Sequence, residues 1–202
     1  MMFGLAFLKA LSEKARKSEG LSYRTSALCP WDILGLIGLT IGLYAFLTDK
    51  LGLSALIWLY VLIIFSAVSA DMDYHTKMVY GWLIYPPVLY GTVVCIIQIF
   101  SGRFVLPADL IFELLPLIFT IATFKTRGFA DTVLMTGYCL YGLCYGNPLT
   151  VMIGFLIGYM IQSVVHVRTY IKTRKKGLKF PFIPALFLGF ICTITLDSFI
   201  LL

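Results

Sequence analysis

The chain has 202 residues, of which 60% are hydrophobic and only 13% charged, with a mean hydropathy of +0.93. A soluble domain of this length has no interior able to hide so much apolar surface, so composition excludes an ordinary soluble enzyme and predicts an all-α, polytopic helix bundle in a bilayer. The formal net charge of +6 calls for no nucleic acid, because anionic lipid headgroups are the nearer partner of basic loops in such a chain.

Residues 1–32 read as a cytosolic or interfacial N-terminal segment. The opening apolar run is too short to span a membrane and has no basic residues ahead of it, which argues against a cleaved signal peptide. Lys9, Glu13, Lys14, Arg16 and Lys17 then follow, a pattern that fits either a helix lying on the inner membrane surface or a frayed tail.

Seven apolar segments come next, at 33–48, 51–70, 82–101, 105–124, 131–146, 148–167 and 181–202. Each is about long enough to cross a ~30 Å hydrocarbon core if some are tilted or partly interfacial. With the N-terminus in the cytosol, the inner segments carry 14 lysines and arginines while the outer loops carry only Lys50 and Arg103. The positive-inside rule therefore favours a cytosolic N-terminus and an outer C-terminus.

Two aspartates stand out in this topology. Asp73 follows the second span in Asp73-Tyr74-His75-Thr76-Lys77-Met78-Val79, and Asp131 opens the fifth in Gly128-Phe129-Ala130-Asp131. Both fall at the expected cytosolic face, where a carboxylate beside lipid costs free energy and so suggests a functional role. Capping exposed N–H groups would by itself explain Asp131; its pairing with Asp73 is what points further. Residues 75–77 form a short polar turn before the chain re-enters at Trp82. Pro86-Pro87 predicts a kink in the third span, and Gly128 permits a sharp entry and a close approach by backbone or substrate.

Cys29, Cys95, Cys139, Cys144 and Cys192 show no Cys-x-x-Cys pair and, Cys29 apart, fall within the apolar segments. They read as small packing residues, with neither a zinc site nor a disulfide framework indicated. His-Glu-x-x-His is absent from the chain, so zinc metalloprotease chemistry has no support and no metal is expected.

The two aspartate motifs resemble those of the archaeal type IV prepilin and preflagellin peptidases, intramembrane aspartyl proteases with a Gly-x-Gly-Asp or Gly-x-hydrophobic-Asp signature. In that family the first aspartate closes a helix and is followed by basic residues and an aliphatic one, as Asp73, His75, Lys77 and Val79 stand here. The second is matched by Asp131 in Gly-Phe-Ala-Asp, with Gly128 and Ala130 supporting the motif. His75 replaces the usual arginine, and Tyr80-Gly81 stands where many members have Pro-Asn. The likeness covers 51–202, so 33–202 would be a peptidase domain of six core helices plus an extra one at 33–48. The large cysteine-bearing loop and methyltransferase segment of bacterial relatives have no counterpart, which implies the shorter type that only cleaves.

The resemblance implies an endopeptidase that needs no cofactor. Its substrate would be a prepilin or preflagellin precursor with a short basic leader and an apolar helix, cut at the inner membrane face. Two carboxylates sharing a site cannot both ionise cheaply, so one stays protonated while the other activates water. Helix-end fields would make Asp131 the base and Asp73 the acid. Asp71 competes with Asp73 for the first role, or attracts the positive charge of the leader, while His75 and Lys77 fit lipid phosphates and His166 the interface.

Three other readings use different residues. Asp109 and Glu113, four apart in the fourth segment, and Asp197 in the seventh are carboxylates suited to a small proton- or ion-coupled transporter. Ser54 with His166 suggests an intramembrane serine protease, but the expected spans put them at opposite membrane faces. Gly38-x-x-x-Gly42 and Gly154-x-x-x-Gly158 permit close helix packing, either within the chain or as part of a non-catalytic assembly subunit.

Overall fold

The computed structural model describes residues 2–18, 29–48, 51–101, 110–123, 128–145, 147–174 and 180–200. These form eight α-helices: α1 (Met2–Ser18), α2 (Pro30–Leu47), α3 (Leu53–Thr76), α4 (Gly81–Phe100), α5 (Leu110–Ala122), α6 (Phe129–Cys144), α7 (Pro148–Thr173) and α8 (Ile183–Ile200). The seven segments expected from hydropathy fall on α2 to α8, but they are unequal. Among the described residues, four helices, α2, α3, α4 and α7, are long and apolar enough to cross a membrane. By contrast, α5 and α6 have 13 and 16 residues, and Ile183–Ser198 forms a shorter apolar helix. Breakers set these lengths: Gly128 precedes α6, and Pro148 starts α7 with Asn147 as its cap, the Asn147 side chain accepting from the Leu149 N–H at 2.9 Å.

Two helices outrun their apolar segments. The apolar part of α3 was expected to end near residue 70 and that of α7 near 167, yet the helices continue to Thr76 and Thr173. Hydropathy marks where polar residues begin, not where helical hydrogen bonding stops. Asp73 therefore projects from the last turn of α3, and His166 and Arg168 are helical.

The central helix is α3, which packs against α1, α2, α4, α6 and α8. Trp58, Leu59, Leu62 and Ile63 on it are fully buried. The Trp58 indole donates to the Pro87 carbonyl at 3.2 Å, so the Pro86-Pro87 pair, which α4 carries without ending, also supplies an acceptor inside the bundle. Buried Tyr138 of α6 donates to Ser66 of α3 at 2.8 Å, a polar tie of the kind that joins helices without a hydrophobic driving force. Leu89, Val93, Ile97 and Phe100 instead line the outside of α4 and are strongly exposed, the surface a bilayer would cover.

Small residues bring α7 and α8 into backbone contact. A Cβ at Gly189 would lie 2.1 Å from the Gly154 carbonyl oxygen, and one at Gly158 3.0 Å from the Ala185 carbonyl oxygen. Gly38 meets Ile191 and Ile63, and Gly42 meets Leu59. Both Gly-x-x-x-Gly spacings thus serve contacts within the chain. Gly189→Ala has backbone for a neighbour and no flexible side chain that could yield, so it is expected to cost ~1–3 kcal/mol, seen as a lower thermal midpoint in detergent.

Within the N-terminal segment, α1 packs into the bundle through one face. Leu5, Lys9, Ser12 and Arg16, one face of α1, are all buried, and α1 packs on α3. The Lys9 ammonium pairs with the Asp32 carboxylate and lies 3.5 Å from the Cys29 sulfur; Asp32 also accepts the Cys29 backbone N–H at 2.9 Å. Burial opposes the charge on Lys9, but the Asp32 hydrogen bond, with the charges around it, more than offsets this and raises its pKa. Burial, followed by the nearby Asp71 charge, pushes the Cys29 thiol from 9.0 up to about 11. The folded state therefore holds the Cys29 proton more tightly than the unfolded chain does. This contribution to stability is present in full below pH 9.0 and lost as pH rises toward about 11. The thermal midpoint is expected to fall across that window, and less steeply in Cys29→Ala.

Candidate active site

Asp73 and Asp131 line one cleft, with a volume of about 800 Å³. Each helix brings its part by ordinary local chemistry. Asp73 comes from the last turn of α3, which ends at Lys77 in the left-handed conformation (φ 55°), its N–H bonded to the Asp73 carbonyl at 2.9 Å. Few non-glycine residues adopt that conformation, and here it swings Lys77 and Val79 into the cleft wall. Gly128, Phe129, Ala130 and Asp131 form a second wall.

The Asp131 carboxylate sits in the first turn of α6, and its Oδ2 accepts the Gly128 N–H at 3.2 Å. The expected capping role is therefore present at the cleft itself. Gly128 has φ −69° and ψ 150°, extended backbone open to any residue, so conformational freedom is not why glycine stands there. Space is: a Cβ would lie 3.1 Å from Asp131 Oδ2.

Asp73 is buried, and its Oδ2 accepts the Ile183 N–H at 3.0 Å, with a further backbone hydrogen bond from Phe182. Those donors belong to the opening of α8, where Phe180-Pro181-Phe182-Ile183-Pro184 starts a helix whose first N–H groups have no partner within it. Each carboxylate thus meets N–H groups at a helix N-terminus, Asp131 at α6 and Asp73 at α8. The helix-end argument that made Asp131 the base and Asp73 the acid is thereby removed: it counted only the helices carrying the residues, and α8 adds a field that local sequence could not show.

The third wall is one face of α7. Tyr159, Gln162, Ser163 and His166 follow one another at helical spacing along the cleft, and the His166 ring packs on Phe180 with centroids 4.7 Å apart. His166 had been expected at the membrane interface. A signal for this face was present: Gln162, Ser163 and His166, with His166 four and three residues beyond the other two, are polar residues following the largely apolar run 151–161.

Other candidates fall elsewhere. Asp71 does not line the cleft; it is buried, lies 3.6 Å from His75 Nε2, and acts electrostatically on Lys9 and Cys29. A two-residue step in a helix turns the side chain by ~200°, so Asp71 and Asp73 face opposite sides of α3. Exposed Ser54 accepts from the Tyr145 hydroxyl at 3.0 Å, at the other end of α3 from Asp73. Asp197 is buried and accepts from Thr150 Oγ1 at 2.6 Å. Asp109 and the Glu113 side chain lie outside the described residues. Among the described residues, no group of three or more His, Cys, Asp or Glu side chains could hold a metal ion.

Comparisons with protein families, curated proteins and solved structures found no match to this chain.

Proposed function

We propose that the chain is a membrane-embedded aspartyl endopeptidase that removes the short basic leader from prepilin or preflagellin precursors. The observation carrying this proposal is the presence of Asp73 and Asp131, 58 positions apart in the sequence, in the walls of one cleft. Two carboxylates bordering one wet space can share a proton, one activating water and the other protonating the leaving group. In this account α2 to α8 are the seven membrane-crossing or partly crossing helices, with the N-terminus in the cytosol, the C-terminus outside and the cleft at the inner face of the cell membrane. Lipids and the precursor protein are the partners.

The cleft supports this reading in its size and its polarity. A helix hides its carbonyls, so the substrate must be extended where it is cut, and a space of about 800 Å³ accommodates several extended residues. Gln162, Ser163 and Lys77 on its walls offer partners for the backbone groups so released.

The test incubates membranes containing this protein with a prepilin-like substrate and compares wild type, Asp73→Asn and Asp131→Asn. Leader removal by wild type alone supports the proposal; cleavage by either variant at the wild-type rate removes that residue from the chemistry. A further variant, Gly128→Val, would crowd Asp131 Oδ2 without changing the backbone requirement. It is expected to lower the cleavage rate at least ~10-fold with little change in thermal midpoint, because misplacing a reacting group costs rate before it costs stability.

A further inference from the structure

The geometry points to Cys95 and Cys144 as a vicinal thiol pair that closes to a disulfide joining α4 to α6. Three contacts rise together along the two helices. The Tyr85 and Phe129 rings lie 6.2 Å apart, a Cβ on Gly137 would meet Val88 Cγ2 at 3.3 Å, and Cys95 Sγ lies 4.0 Å from the Leu140 carbonyl oxygen. The helices are therefore parallel neighbours, brought close where Gly137 has no side chain. Cys95 stands seven residues beyond Val88, and Cys144 seven beyond Gly137. Two turns return a side chain to nearly the same face of its helix, so the register that pairs Val88 with Gly137 also pairs the two cysteines.

The Leu140 carbonyl marks the same level, because in an α-helix it accepts the N–H of residue 144; a sulfur beside that oxygen sits at the root of Cys144. Both thiols are free and half-buried, within reach of a small oxidant. The remaining cysteines within helices, Cys139 and Cys192, lie elsewhere: Cys139 is buried with its sulfur 3.6 Å from Thr120 Oγ1, and Cys192 belongs to α8.

The oxidant is a small-molecule disulfide. The thiolate of one cysteine attacks it, forming a mixed disulfide and releasing one thiol; the second cysteine then attacks the protein sulfur of that adduct, forming the Cys95–Cys144 bond and releasing the second thiol. The protein loses two protons and two electrons, and the small disulfide gains them. The pair lies at the end of α6 away from Asp131, ~20 Å along the helix. In the topology proposed above that end faces outside, where disulfides persist. The bond would hold α6 to α4 without entering the cleft, and the inference stands whether or not the cleft cleaves peptides.

The test places the full chain in phosphatidylcholine–phosphatidylglycerol vesicles, exposes it to oxidised glutathione, then unfolds it and labels remaining thiols with a maleimide. Labelling is expected to fall from five thiols to three, with a non-reduced peptide map joining the Cys95 and Cys144 peptides and a reductant restoring all five. Cys29→Ser, which leaves the pair intact, is expected to show the same loss of two. Five labelled thiols after oxidation, a glutathione adduct left unresolved on either cysteine, or a bond between any other pair would overturn the inference.

Discussion

Asp73→Asn and Asp131→Asn are each expected to lower leader cleavage by at least ~10²-fold, the scale of a lost general acid or base, while the protein stays folded. Asparagine is the informative replacement because both carboxylates also hold backbone. Asp73 Oδ2 accepts from Ile183 at the start of α8, and Asp131 Oδ2 accepts from Gly128 at the start of α6. An amide oxygen can keep either hydrogen bond, so asparagine removes the titrating group and leaves the acceptor. Alanine removes both. At Asp73 it would also strand a buried N–H group, at a cost of ~1–3 kcal/mol. Cleavage measured beside thermal midpoint separates the two roles: a catalytic pair gives inactive asparagine variants with near-native midpoints. Active asparagine variants would show that both aspartates only cap helices.

The largest expected effect on stability lies on the other side of α3. Asp32→Ala is expected to cost ~3–5 kcal/mol, because it leaves the buried Lys9 ammonium without its carboxylate. It also removes the acceptor of the Cys29 N–H. The pair need not be the best arrangement for stability, since replacing both members with apolar residues of similar size is often neutral or better. Lys9→Met combined with Asp32→Leu is accordingly expected to regain most of what Asp32→Ala loses, as read from denaturation in detergent. If the double variant fared as badly as the single one, packing of α1 rather than charge pairing would explain the loss. Asp71 is the control: it acts on Lys9 from nearby, so Asp71→Asn should cost less than Asp32→Ala.

Much of this architecture is legible in the residues themselves. Long unbroken apolar runs in a chain that is 60% hydrophobic point to a helix bundle, because a segment in lipid must satisfy its own backbone hydrogen bonds and a barrel strand would alternate in polarity. The segments between Gly, Pro and charged residues locate α2 to α8, and Gly154-x-x-x-Gly158 marks a close contact before its partner is known. The two aspartates stand out for a similarly local reason: a carboxylate at the edge of an apolar run is costly wherever the chain goes next.

What local sequence could not carry is which side chains from different helices meet. Hydropathy stops at the first polar residues, so it ends α3 six residues early and hides the helical turn in which Asp71 and Asp73 stand about half a turn apart. It cannot say that Asp73 ties down the start of α8, a hydrogen bond between residues 110 positions apart. Nor can it say that Cys95 and Cys144, unremarkable by spacing, lie at one level of two parallel helices. Burial cost belongs to a residue and its immediate neighbours, and the chain order exposes it. Pairing depends on crossing angle and register, which are set by where glycines let backbones touch, and those emerge only when all the helices pack together.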